Sequence, residues 1–218
     1  MINYFGGEFQ QDPNYIVNNN IINNFLPFEE KNWGHSGRYL FYEFLKYFKK
    51  KSIKKIFLPS YLCPELLYPI KKLDFEIEFY NVNFDKIVDI NFKKNSLILI
   101  IHYFGKNLSN ISQIEKNLKA NSYIIEDLSH VYLNNKFKKL NSSKNYFFTM
   151  RKHFGCMYGG FSNLNTKNKN KLNKNSIYDE VLKNAFLKFN YIKNYINKSK
   201  FIEDTYLDSF KKFESKIT

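Results

Sequence analysis

A lysine set among aromatic residues is the side chain of this sequence best suited to covalent chemistry. Lys152 follows a short apolar run, Tyr146 to Thr149, and precedes Phe154 and a Gly159-Gly160 pair. Burial lowers the pKa of a lysine amine, and a neutral amine can attack a carbonyl carbon to form an imine. We therefore expect Lys152 to be partly buried and nucleophilic, although a surface Arg-Lys pair would have the same local sequence.

Two carboxylates end a second apolar run. Glu126 and Asp127 follow Tyr123, Ile124 and Ile125, and His130 comes three residues later. A buried charge requires a partner, and the protonated ring nitrogen of a cofactor would provide one. The alternative is that Asp127 only caps the strand and that Glu126 lies in solvent.

The tripeptide Ser36-Gly37-Arg38 precedes an amphipathic helical pattern and could bind an anion. A helix over residues 37–51 is predicted by the three- and four-residue spacing of its apolar side chains, and Ser36 is suited to the N-cap. The first backbone N–H groups of a helix attract anions, and Arg38 adds a fork of donors. An ordinary N-cap would have the same sequence.

These candidate residues follow elements that alternate between strand and helix. Strands are predicted at 54–58, 75–80, 97–102, 123–126 and 146–149. Helices are predicted at 37–51, from Pro64 onward, and from a cap at Ser109 or Ser112 to about Ala120. Residues 1–34 have no sustained period. The sequence therefore predicts an α/β fold, a three-layer α/β/α sandwich with a mostly parallel mixed sheet followed by C-terminal helices, and ligands at the carboxyl ends of its strands.

Composition argues against several other classes of protein. The net charge of +14 suggests nucleic-acid binding, but the basic residues are mostly lysines spread along the chain, a distribution that does not favour that role. Cys63 and Cys156 lie too far apart in sequence for zinc-ligand spacing, so we expect no metal. No apolar run reaches the ~20 residues of a membrane span, and the first residues lack a signal-peptide pattern, so a cytoplasmic location is expected.

Taken in order, these motifs resemble those of the DegT/StrS-type aminotransferases, which are fold type I pyridoxal-phosphate enzymes. The resemblance covers about residues 3–163. Its elements are Gly6-Gly7-Glu8-Phe9, Ser36-Gly37-Arg38, Leu58 to Cys63, Glu78-Phe79-Tyr80, His102 to Gly105, Glu126 to His130, and Arg151-Lys152 through Gly159-Gly160.

The resemblance implies pyridoxal 5'-phosphate as cofactor and Lys152 as the lysine that forms an imine with it. Asp127 takes the place of the carboxylate that pairs with the pyridine nitrogen, and His130 the place of a residue near the phenolic oxygen. The phosphate ligands would be Ser36, Gly37, Arg38 and Thr149. An aromatic residue that stacks on the ring is expected after Pro59, where strict alignment gives Cys63 and where Tyr61 is the alternative.

The resemblance also implies an activity: transfer of an amino group from an amino acid to a keto-sugar nucleotide, in surface-polysaccharide or natural-product biosynthesis, by a homodimer. It divides the chain into a large domain over 1–165, a polar linker over 166–176 and a helical extension over 177–218. The family's small C-terminal domain is expected to be missing or truncated. That departure leaves open a non-catalytic remnant that binds a cofactor or partner, and a nucleic-acid-binding protein is the third alternative.

Overall fold

A computed structural model describes residues 33–83, 86–88, 91, 93–105, 109–130, 145–152 and 159–164, together with nine single positions between 183 and 212. Those nine positions are helical, in agreement with the predicted C-terminal helices. The segment before Trp33, the linker over 166–176, the rest of the extension over 177–218, and His153 to Tyr158 lie outside the described residues. No described helix is long and apolar enough to cross a membrane.

The described strands form one sheet. They are β1 (Trp33–Gly34), β2 (Lys55–Pro59), β3 (Glu76–Asn83), β4 (Lys86–Val88), β5 (Ser96–Ile101), β6 (Tyr123–Asp127), β7 (Tyr146–Thr149) and β8 (Gly160–Ser162). Their order is β1-β8-β7-β6-β5-β2-β3-β4. The neighbours β7, β6, β5, β2 and β3 pair in parallel, whereas β1, β4 and β8 pair antiparallel. The mostly parallel mixed sheet is therefore confirmed.

Three short strands, β1, β4 and β8, were not predicted. The expectation of irregular structure up to about residue 34 was wrong at its last two residues, which form β1. Trp33 and Gly34 pair with Phe161 and Gly160, which lie far along the chain. A two-residue strand has too few positions for an alternating pattern, so its only signal is the partner strand.

The described helices agree with the predicted ones, with shorter ends. They are α1 (Gly37–Lys49), α2 (Leu67–Lys72), which follows a 3₁₀ turn at Pro64–Leu66, and α3 (Ile111–Lys116). The Ser36 hydroxyl accepts a hydrogen bond from the Tyr39 N–H at 3.1 Å, so its predicted role as N-cap is confirmed.

The predicted cap of α3 was wrong. Asn110, rather than Ser109 or Ser112, lies at the N-cap position, and its side chain makes no capping bond to the helix. Its amide instead accepts from the Ile87 N–H at 3.1 Å and donates to the Ile87 carbonyl at 2.9 Å. A tertiary contact with β4 therefore replaces the local cap.

Helices pack on both faces of the sheet. Alternate residues of β5 point to opposite sides, so Leu97, Leu99 and Ile101 join a core with α1 and α2, whereas Ile98 and Ile100 join a second core with Ile114 of α3. The predicted three-layer α/β/α arrangement is confirmed. Because β2, β5, β6 and β7 are parallel, the loops that follow them meet at one edge of the sheet.

We expect Gly160→Ala to destabilise the fold more than Gly34→Ala, although the two glycines are cross-strand partners. A Cβ on Gly160 would lie 2.5 Å from the Phe148 carbonyl oxygen, in the backbone of the neighbouring strand. A Cβ on Gly34 would lie 2.6 Å from Leu40 Cδ2, the end of a side chain that can change rotamer. Overpacking of this kind costs about 1–3 kcal/mol. Urea unfolding measures both losses, and equal losses would contradict the explanation.

Candidate active site

An amine and an imidazole meet at the carboxyl ends of two neighbouring strands. Lys152 lies in the turn after β7, and its Nζ is 2.8 Å from Nε2 of His130, which follows β6. An amine N–H can donate to the lone pair of a neutral imidazole. Lys152 is exposed, so the expectation of partial burial was wrong. The Lys152 amine is therefore in contact with a histidine at hydrogen-bond distance and is not enclosed in an apolar pocket.

Two aromatic rings flank His130. Its ring centroid lies 6.4 Å from that of Tyr103, in an edge arrangement, and 6.0 Å from that of Phe104, with an interplanar angle of 25°. The Tyr103 hydroxyl donates to the Tyr61 carbonyl, which ties the loop after β5 to the loop after β2. Sequence reasoning did not single out Tyr103 and Phe104 as neighbours of Lys152, because their roles depend on packing between loops.

Asp127 is buried at the end of β6, on the sheet face that α1 covers. Its Oδ1 accepts from the Ser129 N–H at 2.8 Å, which fixes the carboxylate at the start of the loop that carries His130. Burial, together with the negative charge of Asp127, raises the pKa of the Tyr103 hydroxyl. Asp127 therefore lies close enough to Tyr103 for its charge to act on that hydroxyl.

Glu126 lies on the opposite face from Asp127 and has its own partner. Its Oε2 is 2.7 Å from Nε2 of His102, and the side chains of Glu126 and His102 are 1% and 0% exposed. The alternative in which Glu126 lies in solvent was therefore wrong. His102 directly follows the neighbouring strand β5, and its position at the end of an apolar run was the available signal in the sequence. Glu126 is thus not available to a ligand on the Asp127 face.

Thr149 and the start of α1 are adjacent. A Cβ on Gly37 would lie 3.3 Å from Cβ of Thr149, so the end of β7 packs directly against the first residue of the helix. Thr149 Oγ1 is buried, and within the described part of the chain it has no hydrogen-bond partner. A buried hydroxyl without a partner is unfavourable and requires an explanation. Here it lies beside the positive end of a helix dipole.

Arg38 forms an ion pair with Glu65, in the 3₁₀ turn just after Cys63. The guanidinium group is largely buried and the carboxylate is exposed. Arg38 therefore connects the start of α1 to the loop that contains Tyr61 and Cys63, both of which are exposed. The roles of Ser36, Gly37, Arg38, Tyr61 and Cys63 toward a cofactor stay predictions.

Solved structures that share this fold include two from the following bacteria. Helicobacter pylori PseC, an aminotransferase involved in the biosynthesis of pseudoaminic acid, is 15% identical with a TM-score of 0.51, over 68% of this chain and 43% of that chain. NtdA from Bacillus subtilis, solved with bound cofactor PMP, is 16% identical with a TM-score of 0.50, over 73% of this chain and 36% of that chain. At such identities the likeness shows a shared fold, and this chain spans less than half the length of either protein.

Comparison of the sequence alone gives no further relatives. No protein-family model matches the chain, and no curated protein matches it. The shared fold agrees with the large-domain type that the motifs predicted.

A buried histidine precedes the helix cap of the site. The His35 ring packs against that of Tyr39 at a tilted angle, with ring centroids 4.1 Å apart, and the His35 carbonyl accepts from the Gly159 N–H at 2.8 Å. Burial, and to a lesser degree the positive charge of Arg38, lowers the pKa of His35 from 6.5 to about 4. The folded protein therefore holds this imidazole neutral where an unfolded chain would protonate it.

We expect the stability of the protein to fall in acid through His35. Between pH 6.5 and about 4 the unfolded chain binds a proton that the folded protein does not, so the free energy of unfolding decreases by about 3 kcal/mol across this window. Urea unfolding at several pH values measures the slope. The free energy of unfolding of His35→Gln should fall less steeply with decreasing pH, because glutamine does not titrate. The carboxylates that also titrate in this window are the same in both proteins, so the difference in slope reports His35 alone. Identical slopes would contradict this origin.

Proposed function

We propose that this chain binds pyridoxal 5'-phosphate at the carboxyl ends of its parallel strands and acts as the large domain of an aminotransferase-like protein. The observation that carries the proposal is the 2.8 Å contact between the Lys152 amine and His130, on the same sheet edge as Asp127 and Thr149. An accessible amine, a buried carboxylate and a buried hydroxyl at a helix start are the three groups that such a cofactor requires.

The phosphate would be held by Thr149 and the start of α1. The buried Oγ1 of Thr149 can donate to a phosphate oxygen, and the helix start at Gly37 contributes backbone N–H groups and a positive dipole end. The Ser36 hydroxyl is already the cap of α1, so its contribution would be to fix that helix start. NtdA, which shares the fold, was solved with bound cofactor PMP, and this supports the same class of ligand here.

The remaining groups would hold and use the ring. Asp127 can accept a hydrogen bond from a protonated ring nitrogen, and its burial strengthens that interaction. When bound, the cofactor supplies an electron sink for a carbanion. Lys152 would be the covalent anchor, and its amine, once displaced by the amine of the substrate, would accept a proton from the substrate carbon. His130 would keep that amine in place.

The substrate part of the proposal extends to an amino-acid donor and a keto-sugar nucleotide as acceptor, used by a homodimer in surface-polysaccharide or natural-product biosynthesis. It is supported by the order of motifs in the sequence and by the fold shared with PseC, which is named as an aminotransferase involved in the biosynthesis of pseudoaminic acid. Amino transfer to keto-sugar nucleotides, and sedimentation of the cofactor-bound chain, test these points. A chain that binds the cofactor but transfers no amino group would instead be the non-catalytic binding module.

Lys152→Ala should abolish the covalent linkage to added pyridoxal phosphate while the protein stays folded. Lys152 is exposed, so its truncation removes little packing. Borohydride reduction followed by peptide mass spectrometry measures the linkage, and circular dichroism measures the fold. Lys94→Ala is the matched control, because Lys94 is also exposed but precedes β5, at the opposite edge of the sheet. A cofactor-modified peptide from the Lys152→Ala protein would mean that another lysine is the anchor.

Thr149→Val should weaken binding of pyridoxal phosphate about tenfold to a hundredfold, since a hydrogen bond to a charged group contributes about 1.5–3 kcal/mol. Valine keeps the shape of threonine but has no hydroxyl group. The affinity for pyridoxal, which has no phosphate, should stay unchanged, and fluorescence titration measures both ligands. An equal loss for both would show that Thr149 contacts the ring or only supports the fold.

A further inference from the structure

Phe104 has a backbone conformation that is unfavourable for its side chain. It follows β5 in the turn Tyr103–Gly105 and has φ 52° and ψ 33°, in the left-handed region. The other described non-glycine residues with positive φ are Ser52, Asp74, Asn95 and Asn121, which are small and polar. Asn and Asp tolerate this region because their side chains bond locally, but phenylalanine has no such compensation. Its conformation must therefore be held by its surroundings.

Burial of the ring does not explain this conformation, because Phe104 is 67% exposed. The side chain extends over the site instead of into the core. Its ring stacks on His130, with centroids 6.0 Å apart and an interplanar angle of 25°, and contacts the ring of Tyr103 at 6.3 Å. In its left-handed conformation, Phe104 therefore contacts His130, the residue whose Nε2 lies against the Lys152 amine.

Without support, both members of the Lys152–His130 contact would be mobile. Lysine has four rotatable side-chain bonds, and the χ2 torsion of histidine has a broad energy profile. Tyr103 restricts His130 from one side and is itself fixed, because it is buried and donates to the Tyr61 carbonyl. Phe104 restricts the ring from a second side.

We propose that Phe104 is a positioning residue, which holds the His130 ring between itself and Tyr103 and thereby keeps Nε2 on the Lys152 amine. This inference rests on the proposed function of Lys152. This positioning role explains the unfavourable backbone conformation of Phe104, because a strained residue next to a reactive group is a common way to preorganise a site. Phe104 acts through His130 and takes no part in bond formation.

The test uses three variants and a control. Phe104→Gly removes both the ring and the backbone strain, and Phe104→Asn removes the ring while tolerating the left-handed conformation. Phe104→Tyr keeps both ring and strain. Ser52→Gly is the control for backbone relief alone, since Ser52 has φ 61° at an exposed turn after α1, away from the site.

The melting temperature and the rate of linkage formation at Lys152 should respond differently to these substitutions. Phe104→Gly should melt at the same temperature as the wild type or higher, as Ser52→Gly should, because glycine relieves the strain and little apolar area is lost. The rate at which Lys152 forms its borohydride-reducible linkage with pyridoxal phosphate should fall about tenfold to a hundredfold in Phe104→Gly and Phe104→Asn, because misplacing a reactive group slows its reaction. Phe104→Tyr should keep the wild-type rate. A residue with only a structural role would not lower the rate while preserving the melting temperature.

Proton NMR of the cofactor-free protein tests the stacking by itself. The ring protons of His130 should move downfield in Phe104→Gly and Phe104→Asn, because the ring current of Phe104 is lost, and should stay in place in Phe104→Tyr. Unchanged His130 resonances, or unchanged rates in both ring-less variants, would overturn the inference and leave the proposed function intact. If wild-type Lys152 forms no linkage at all, the proposed function fails, and the NMR shift still decides whether Phe104 positions His130.

Discussion

The parallel pairing of β6 with β7 is the constraint on which the site depends. Glu126 and Asp127 pair with Tyr146 and Phe147, and the Leu128 N–H donates to the Phe147 carbonyl at 2.9 Å. Because the strands run in the same direction, their carboxyl ends meet at one edge of the sheet. His130 and Lys152 each come three residues after the last residue of their strands, Asp127 and Thr149. The contact between their side chains follows from that register.

The pleat of β6 separates two carboxylates that are adjacent in sequence. Successive side chains of a strand point to opposite faces, so Asp127 lies on the α1 face and Glu126 on the α3 face. Glu126 is paired with His102 in a fully buried contact, and removal of one partner from such a pair is strongly destabilising. Asp127 lies instead beside Tyr103 and the loop of His130, where its charge can act on a ligand. One carboxylate therefore supports the strand ends, and the other lies at the candidate site.

Loop-to-loop contacts then set the shape of this edge. The hydroxyl of Tyr103 connects the loops after β5 and β2, and the Arg38–Glu65 ion pair connects α1 to the turn that follows Cys63. Thr149 lies against Gly37, so the end of β7 and the start of α1 form one wall. The proposed phosphate position is consequently carried by a strand end and a helix start, whereas Lys152 and the exposed aromatic residues Tyr61 and Phe104 lie on the turns and loops that follow the strands.

The sequence by itself determined the elements whose signals are local. The apolar spacing of α1, the Ser36 cap and the apolar runs of β2, β5, β6 and β7 predicted the layered α/β fold, because helix and strand periods are properties of neighbouring residues. Lys152, Asp127 and His130 could be singled out because each follows such a run. Only the tertiary structure decided that Glu126 pairs with His102, that Asn110 bonds Ile87 and that Trp33 pairs with Phe161. It also decided that Lys152 is exposed against His130 and that Phe104 stacks there. These contacts join residues far apart in the chain, and their geometry depends on strand register and loop packing, which leave no periodic trace in the sequence.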